Sequence, residues 1–132
     1  MPLTADTALA DLLQALPALQ PHWDDHRAAH AGEPVDLDDD CLELAAIAHA
    51  WLERPAQHAD ELRTLFAHTE AMLADGEPAL AEALCSSFLE GLLHPLTPAM
   101  PGAAVLPGLL GPLSRAYARH WVAVTGSALT GL

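Results

Sequence analysis

The chain has 132 residues, no lysine, five arginines and eighteen carboxylates, for a formal net charge of −13. That length is about one domain. The acid excess excludes nucleic-acid binding, which needs Lys and Arg to displace counterions from phosphates. Most apolar residues are Ala and Leu, with a single Ile and with Val only at 35, 105, 122 and 124. Ala and Leu lose little side-chain freedom in a helix, whereas strands favour β-branched and aromatic residues. The expected fold is therefore all-α, a compact single-domain bundle of about five or six helices with antiparallel central hairpins.

The opening MPLTADTALADLL has no basic start, and Asp6 and Asp11 interrupt its apolar residues. It does not read as a signal peptide. No stretch reaches the roughly 20 uninterrupted apolar residues of a membrane span. A cytoplasmic location without membrane contact is expected.

The first predicted helix covers about Asp6 to Leu16, with Leu9, Leu12, Leu13 and Leu16 on one stripe and Pro17 ending it. The second starts after Gln20, places Trp23, His26, Arg27 and His30 on one face, and closes at Gly32. The third, about Leu37 to Arg54, repeats apolar residues at Cys41, Leu44, Ala45, Ala48, Trp51 and Leu52. Asp36, Asp38, Asp39 and Asp40 crowd its N-terminus, where negative charge opposes the exposed amides and the helix dipole. A fourth helix follows Pro55, over about Ala56 to Ala74, with Gly76 as a left-handed C-terminal residue.

The fifth helix runs from Pro78 to about Leu93. Its two adjacent rows, Leu80–Leu84–Phe88–Leu92 and Cys85–Leu89–Leu93, mark a central helix contacted on several sides. Short junctions make helices three to five an up-down-up core. The segment 94–111, rich in Pro and Gly yet apolar, reads as a loop with room for a short helical turn. The last helix starts at Gly111-Pro112 and ends at Gly126, with Leu113, Ala116, Tyr117, His120, Trp121 and Val124 on its core-facing side.

Charge is unevenly placed. Residues 1–90 hold all eighteen carboxylates against three arginines, a formal −15, while Arg115 and Arg119 give residues 91–132 a formal +2. Simple docking of the last helix on the body, through Arg–carboxylate contacts that engage Glu70 and Glu90, accounts for that division. Cys41 and Cys85 read as reduced thiols acting as small hydrophobes.

Two clusters carry chemical interest. His22, His26 and His30 recur every four residues, so two imidazoles could share a metal ion, with Asp25 beside them and His49, His58, His68 or His94 as a ligand from elsewhere. A solvated polar face beside Trp23 explains the same spacing without a metal. His120, between Tyr117 and Trp121, reads as a core or boundary histidine. The second cluster is Asp36, Asp38, Asp39, Asp40 and Glu43. Capping needs one or two carboxylates, and the surplus is the candidate partner-binding surface.

The segments AEALCSSFLEGLL (81–93) and LLGPLSRAYARHW (109–121) resemble an uncharacterised bacterial family of small acidic helical proteins. The resemblance rests on Phe88-Leu89-Glu90, on Leu110-Gly111-Pro112, and on Ser114, Arg115, Tyr117 and Trp121, within the last third to half of the chain. Some relatives are similar to immunity proteins encoded beside polymorphic toxins. The resemblance implies a helical fold and an immunity-type role. The Pro-rich segment 94–108 departs from the family pattern.

The functional expectation is a non-enzymatic acidic module that needs no cofactor and binds a basic surface on a protein partner. A homodimer is also compatible with the sequence. The alternative is a metal- or small-ligand-binding helical enzyme using the histidines of the second helix.

Overall fold

The computed structural model describes residues 2–132. Among these residues the fold is all-α, with seven helices and no strand. They are α1 (Ala5–Ala15), α2 (Gln20–Ala29), α3 (Leu37–Leu52), α4 (Ala59–Asp75), α5 (78–93), α6 (Pro101–Leu109) and α7 (Pro112–Thr125), with a 3-10 turn at Pro17–Leu19 leading into α2. No helix among them is long and apolar enough to cross a membrane.

The core lies where α3 and α5 pack side by side, with α4 against both. Cys41, Leu44, Ala45, Ala48, Trp51 and Leu52 of α3 are all buried, as their spacing predicts. Leu62, Leu65, Phe66, Thr69 and Met72 of α4 are buried as well. Asp38 meets Ser87, and Ala45 meets the glycine at 91, so α3 and α5 run in the same direction. That is the relation that an up-down-up arrangement requires.

The middle of α5, Leu84–Leu89, widens into a π turn. Consecutive α-helical residues point about 100° apart, so Ser87, Phe88 and Leu89 can all be buried only if neighbours surround the helix. Phe88 packs against Phe66 with ring centroids 5.9 Å apart. Ser87 instead faces α3 and donates to Asp38 Oδ1 at 2.9 Å. Such π turns recur at functional positions.

The stretch expected to be a loop contains α6. Its Pro101 occupies the first turn, where a backbone N–H would have no intrahelical acceptor and so none is missed, and its Pro107 lies inside the helix. Gly102 explains the position of this helix. A methyl group there would stand 2.5 Å from both Cβ and the carbonyl oxygen of Leu52, so only glycine allows α6 so close to α3. This extra helix takes the count above the five or six expected.

Gly32 and Gly126 adopt left-handed φ values of 85° and 71°, which suits their places after α2 and α7. Gly76 does not, with φ −77°. There the chain turns extended, and Leu3 clamps it from the N-terminal side. Leu3 N–H donates to Asp75 O at 2.7 Å, and Glu77 N–H donates to Leu3 O at 2.9 Å.

The last helix also differs from expectation in its face. Ser114 and Ala118 are buried and Tyr117, Trp121 and Val122 are half-buried, while Leu113, His120 and Val124 are exposed. His120 is thus neither a core nor a boundary residue. Small side chains on the inner face let α7 lie close to α4 and α5, and Leu113 is displaced outward as a result.

Phe88 is fully buried on the central helix. Phe88→Ala is expected to lower the unfolding free energy by about 3–5 kcal/mol in urea denaturation. A loss below about 1 kcal/mol would contradict this placement of α5.

Candidate functional site

The acidic cluster and the histidines of α2 meet at one corner of the molecule. Asp36 is the N-cap of α3, and its Oδ1 accepts from Asp38 N–H at 2.9 Å. Asp38 lies one turn before the exposed Leu42 and accepts from Ser87. Asp39 is exposed. Asp40 is different: only 1% of its surface is accessible.

Asp40 is held by a two-pronged pairing from α2. Arg27 Nη1 donates to Oδ1 and Nη2 to Oδ2, each at 3.0 Å. Arg supplies a planar fork that matches a carboxylate, so both oxygens are satisfied at once. His26, also buried, places Nε2 3.0 Å from the same Oδ1. A carboxylate only accepts, so the Nε2–H of His26 donates. The other ring nitrogen faces Glu43 Oε2 at 3.7 Å, beyond hydrogen-bonding range. Arg27 also lies over the Trp23 ring, 5.2 Å from its centroid.

This arrangement changes the reading of three predicted residues. His26 is not part of a solvated face; it is buried beside Asp40. Asp40 is withdrawn from any partner surface, because α3 turns it towards α2 and burial of an unpaired carboxylate is prohibitive. Arg27 was on the right face in the sequence, but its role as Asp40's counter-charge depends on how α2 crosses α3.

The His26 and His30 rings lie 4.8 Å apart, but the three histidines do not gather around one point. His22 meets Trp51 edge-on at 6.5 Å, His26 is tied to Asp40, and His30 Nδ1 lies 2.8 Å from Glu33 Oε2. The bond to Glu33 holds the His30 imidazolium above its ordinary range, with further help from the Asp39 and Asp40 charges. Among the described residues, no group of three or more His, Cys, Asp or Glu side chains is arranged to hold a metal ion. The space between α2 and residues 33–40 measures only about 60 Å³, enough for a few waters.

The C-terminal motif residues form a second constellation. α7 has no side-chain cap of its own. Glu70 of α4 serves instead, accepting from Leu113 N–H at 2.8 Å and Ser114 N–H at 3.0 Å. A carboxylate there satisfies free amides and opposes the positive end of the helix. A methyl group at Gly111 would stand 2.5 Å from Glu70 Oε1, which accounts for the glycine of Leu-Gly-Pro. Glu90 accepts from the Tyr117 hydroxyl at 2.7 Å.

Neither carboxylate pairs with an arginine. Arg115 donates to the Pro107 carbonyl at 2.5 Å, and Arg119 to the Leu132 carbonyl at 2.6 Å. The arginines of α7 thus secure the chain segments before and after it. The thiols are free. Burial pushes Cys41 up to about 12 and also raises Cys85, which the Glu90 charge raises further. Both stay protonated and poorly nucleophilic at neutral pH.

Fold and corner together define a small helical-bundle protein whose acidic surface is organised around one internal carboxylate. The match to a family model is nearly as long as the chain: residues 9–121 match a domain of unknown function (DUF7674). The chain belongs to this family, and the matched region ends at Trp121, the last motif residue. No curated protein and no solved structure matches it.

The Asp40 pairing makes an asymmetric prediction. Arg27→Met leaves the carboxylate buried without a counter-charge and is expected to cost about 3–5 kcal/mol. Asp40→Asn leaves Arg27, whose side chain is 41% exposed, free to rehydrate, and is expected to cost about 1.5–3 kcal/mol. Chemical denaturation of both variants checks the order.

Tyr117 is the only tyrosine, so phenolate absorbance reports it alone. Burial, then the hydrogen bond and charge of Glu90, raise it to about 12. An unfolded chain loses this proton near pH 10, before the folded one does, so stability falls as pH rises from about 10 towards 12. The native titration is expected near 12, and Glu90→Gln is expected to move it down towards 10.

Proposed function

We propose that the protein is a non-enzymatic binding module whose acidic surface engages a basic patch on a protein partner, as an immunity-type inhibitor of a toxin would. The observation that carries this reading is the acid left outward after the fold has used what it needs. Asp40 is internal, Asp36 caps α3 and Asp38 holds Ser87, yet Asp39 and the His30-paired Glu33 stay exposed at the same corner, and Asp24 and Asp25 are exposed on α2. Like charges gathered on one surface repel one another, and a basic partner relieves that repulsion. The surrounding charge of residues 1–90 acts in the same direction, attracting a basic protein before contact.

Products of the genes adjacent to this one supply the partners to test. One of them is expected to be a basic protein, toxic when expressed alone and tolerated when co-expressed with this chain. Its association rate is expected to fall about tenfold or more on raising salt. Glu33→Gln with Asp39→Asn is expected to slow association and leave dissociation nearly unchanged. A salt-independent on-rate, or toxicity that co-expression does not relieve, would refute the proposal.

A further inference from the structure

We propose that the groove between α3 and the end of α5 receives an amphipathic helix of the partner, one with an apolar ridge and basic residues at both ends. This inference rests on the reading of the protein as a module for basic partners and names the element it grips.

The outward face of α3 carries Leu42, Ala46 and Ala50, all exposed, with Leu42 at 49%. Across from it stand Gly91 and Pro95, and the depression between them measures about 320 Å³. Its floor is low because Gly91 has no side chain. Even a methyl group there would lie 3.3 Å from Ala45 Cβ and from Leu42 Cδ2. A channel floored by Ala and Gly lets another helix approach closely, which is the helix-in-groove mode of recognition.

Charge selects the occupant. Glu53 lines one end of the channel, and Asp38, tied to Ser87, stands one helical turn before Leu42, beyond the other end. Fifteen helical residues apart, they are separated by about 22 Å, roughly four turns. No Lys or Arg lines the walls; Arg54 lies beyond the end of α3. His49 also lines the groove, and its Nδ1 has no hydrogen-bond partner within the described residues.

A second copy of the chain fits poorly. Packing α3 on α3 in either direction sets acid against acid at both ends of the channel. The chain's own basic helix is no substitute, because Arg115 and Arg119 of α7 are engaged with backbone carbonyls. What the channel fits is a foreign helix with Leu or Ala at every third or fourth position and Lys or Arg about four turns apart.

The test uses the whole protein and two fluorescent synthetic peptides of about 18 residues, one with that pattern and one with the same composition scrambled. At low salt the patterned peptide is expected to bind at least about tenfold tighter by anisotropy. Ala46→Glu adds acid, which favours a basic peptide, but fills the channel. It is expected to remove that preference without changing the melting temperature. Glu33→Gln with Asp39→Asn is expected to weaken both peptides alike. Equal binding of the two peptides would overturn the groove and leave the acidic-surface reading standing. Failure of both peptides to bind at low salt would overturn the two readings together. A concentration-dependent dimer in sedimentation, abolished by Ala46→Glu, would assign the groove to a second copy and overturn this proposal.

Discussion

A carboxylate cannot stay charged inside a protein unless something answers it, and the α2–α3 corner is built around that constraint. Asp40 sits on the first turn of α3 at 1% exposure. Its charge favours that helix end, but the side chain points inward. Arg27 supplies the matching fork and His26 a further hydrogen bond, both from α2. The pairing therefore fixes where α2 crosses α3. It also sets which carboxylates are left for the surface, since one of the cluster is internal and two are occupied locally.

The far side of the bundle solves a related problem with the same residue type. Residues 91–132 contain no carboxylate, so α7 has no acidic residue of its own to cap its N-terminus. Glu70, more than forty positions earlier, accepts from its free amides, and Glu90 takes the Tyr117 hydroxyl. The charge division along the chain is thus partly a division of labour: acidic helices provide acceptors for the free N-terminal amides and the tyrosine hydroxyl of α7. The bare Gly111 makes the approach of Glu70 sterically feasible. These are structural roles for Glu70, Glu90, Gly111 and Tyr117.

Between these two regions, α5 carries the strongest packing demands. Its π turn lets Ser87 serve α3 while Phe88 serves the α4 side, and Gly91 brings α3 close just beyond it. Close approach at Gly91 leaves a shallow channel above, and close approach at Gly102 fills the space below with α6. Two glycines without unusual φ values therefore shape the molecule by what they omit.

The sequence by itself determined the helical class, the periodic core of α1, α3, α4 and α5, and the glycines that end α2 and α7. These follow from local spacing and local backbone preference, which a single strand of text contains. It also marked the carboxylates of α3 and the histidines of α2, but as two separate clusters. Only the tertiary structure decided which of them is buried. Asp38, Asp39 and Asp40 are consecutive and chemically alike, and their separation depends on the 100° step of α3 relative to α2. The inner face of α7 was illegible for a similar reason: Leu113 and Val124 make the more apolar stripe, but close packing against α4 selects Ser114 and Ala118. Helix α6 was hidden by composition, since its prolines and glycines read as breakers. One proline lies in the first turn, where it is tolerated, and one glycine lies against Leu52, where any side chain would collide.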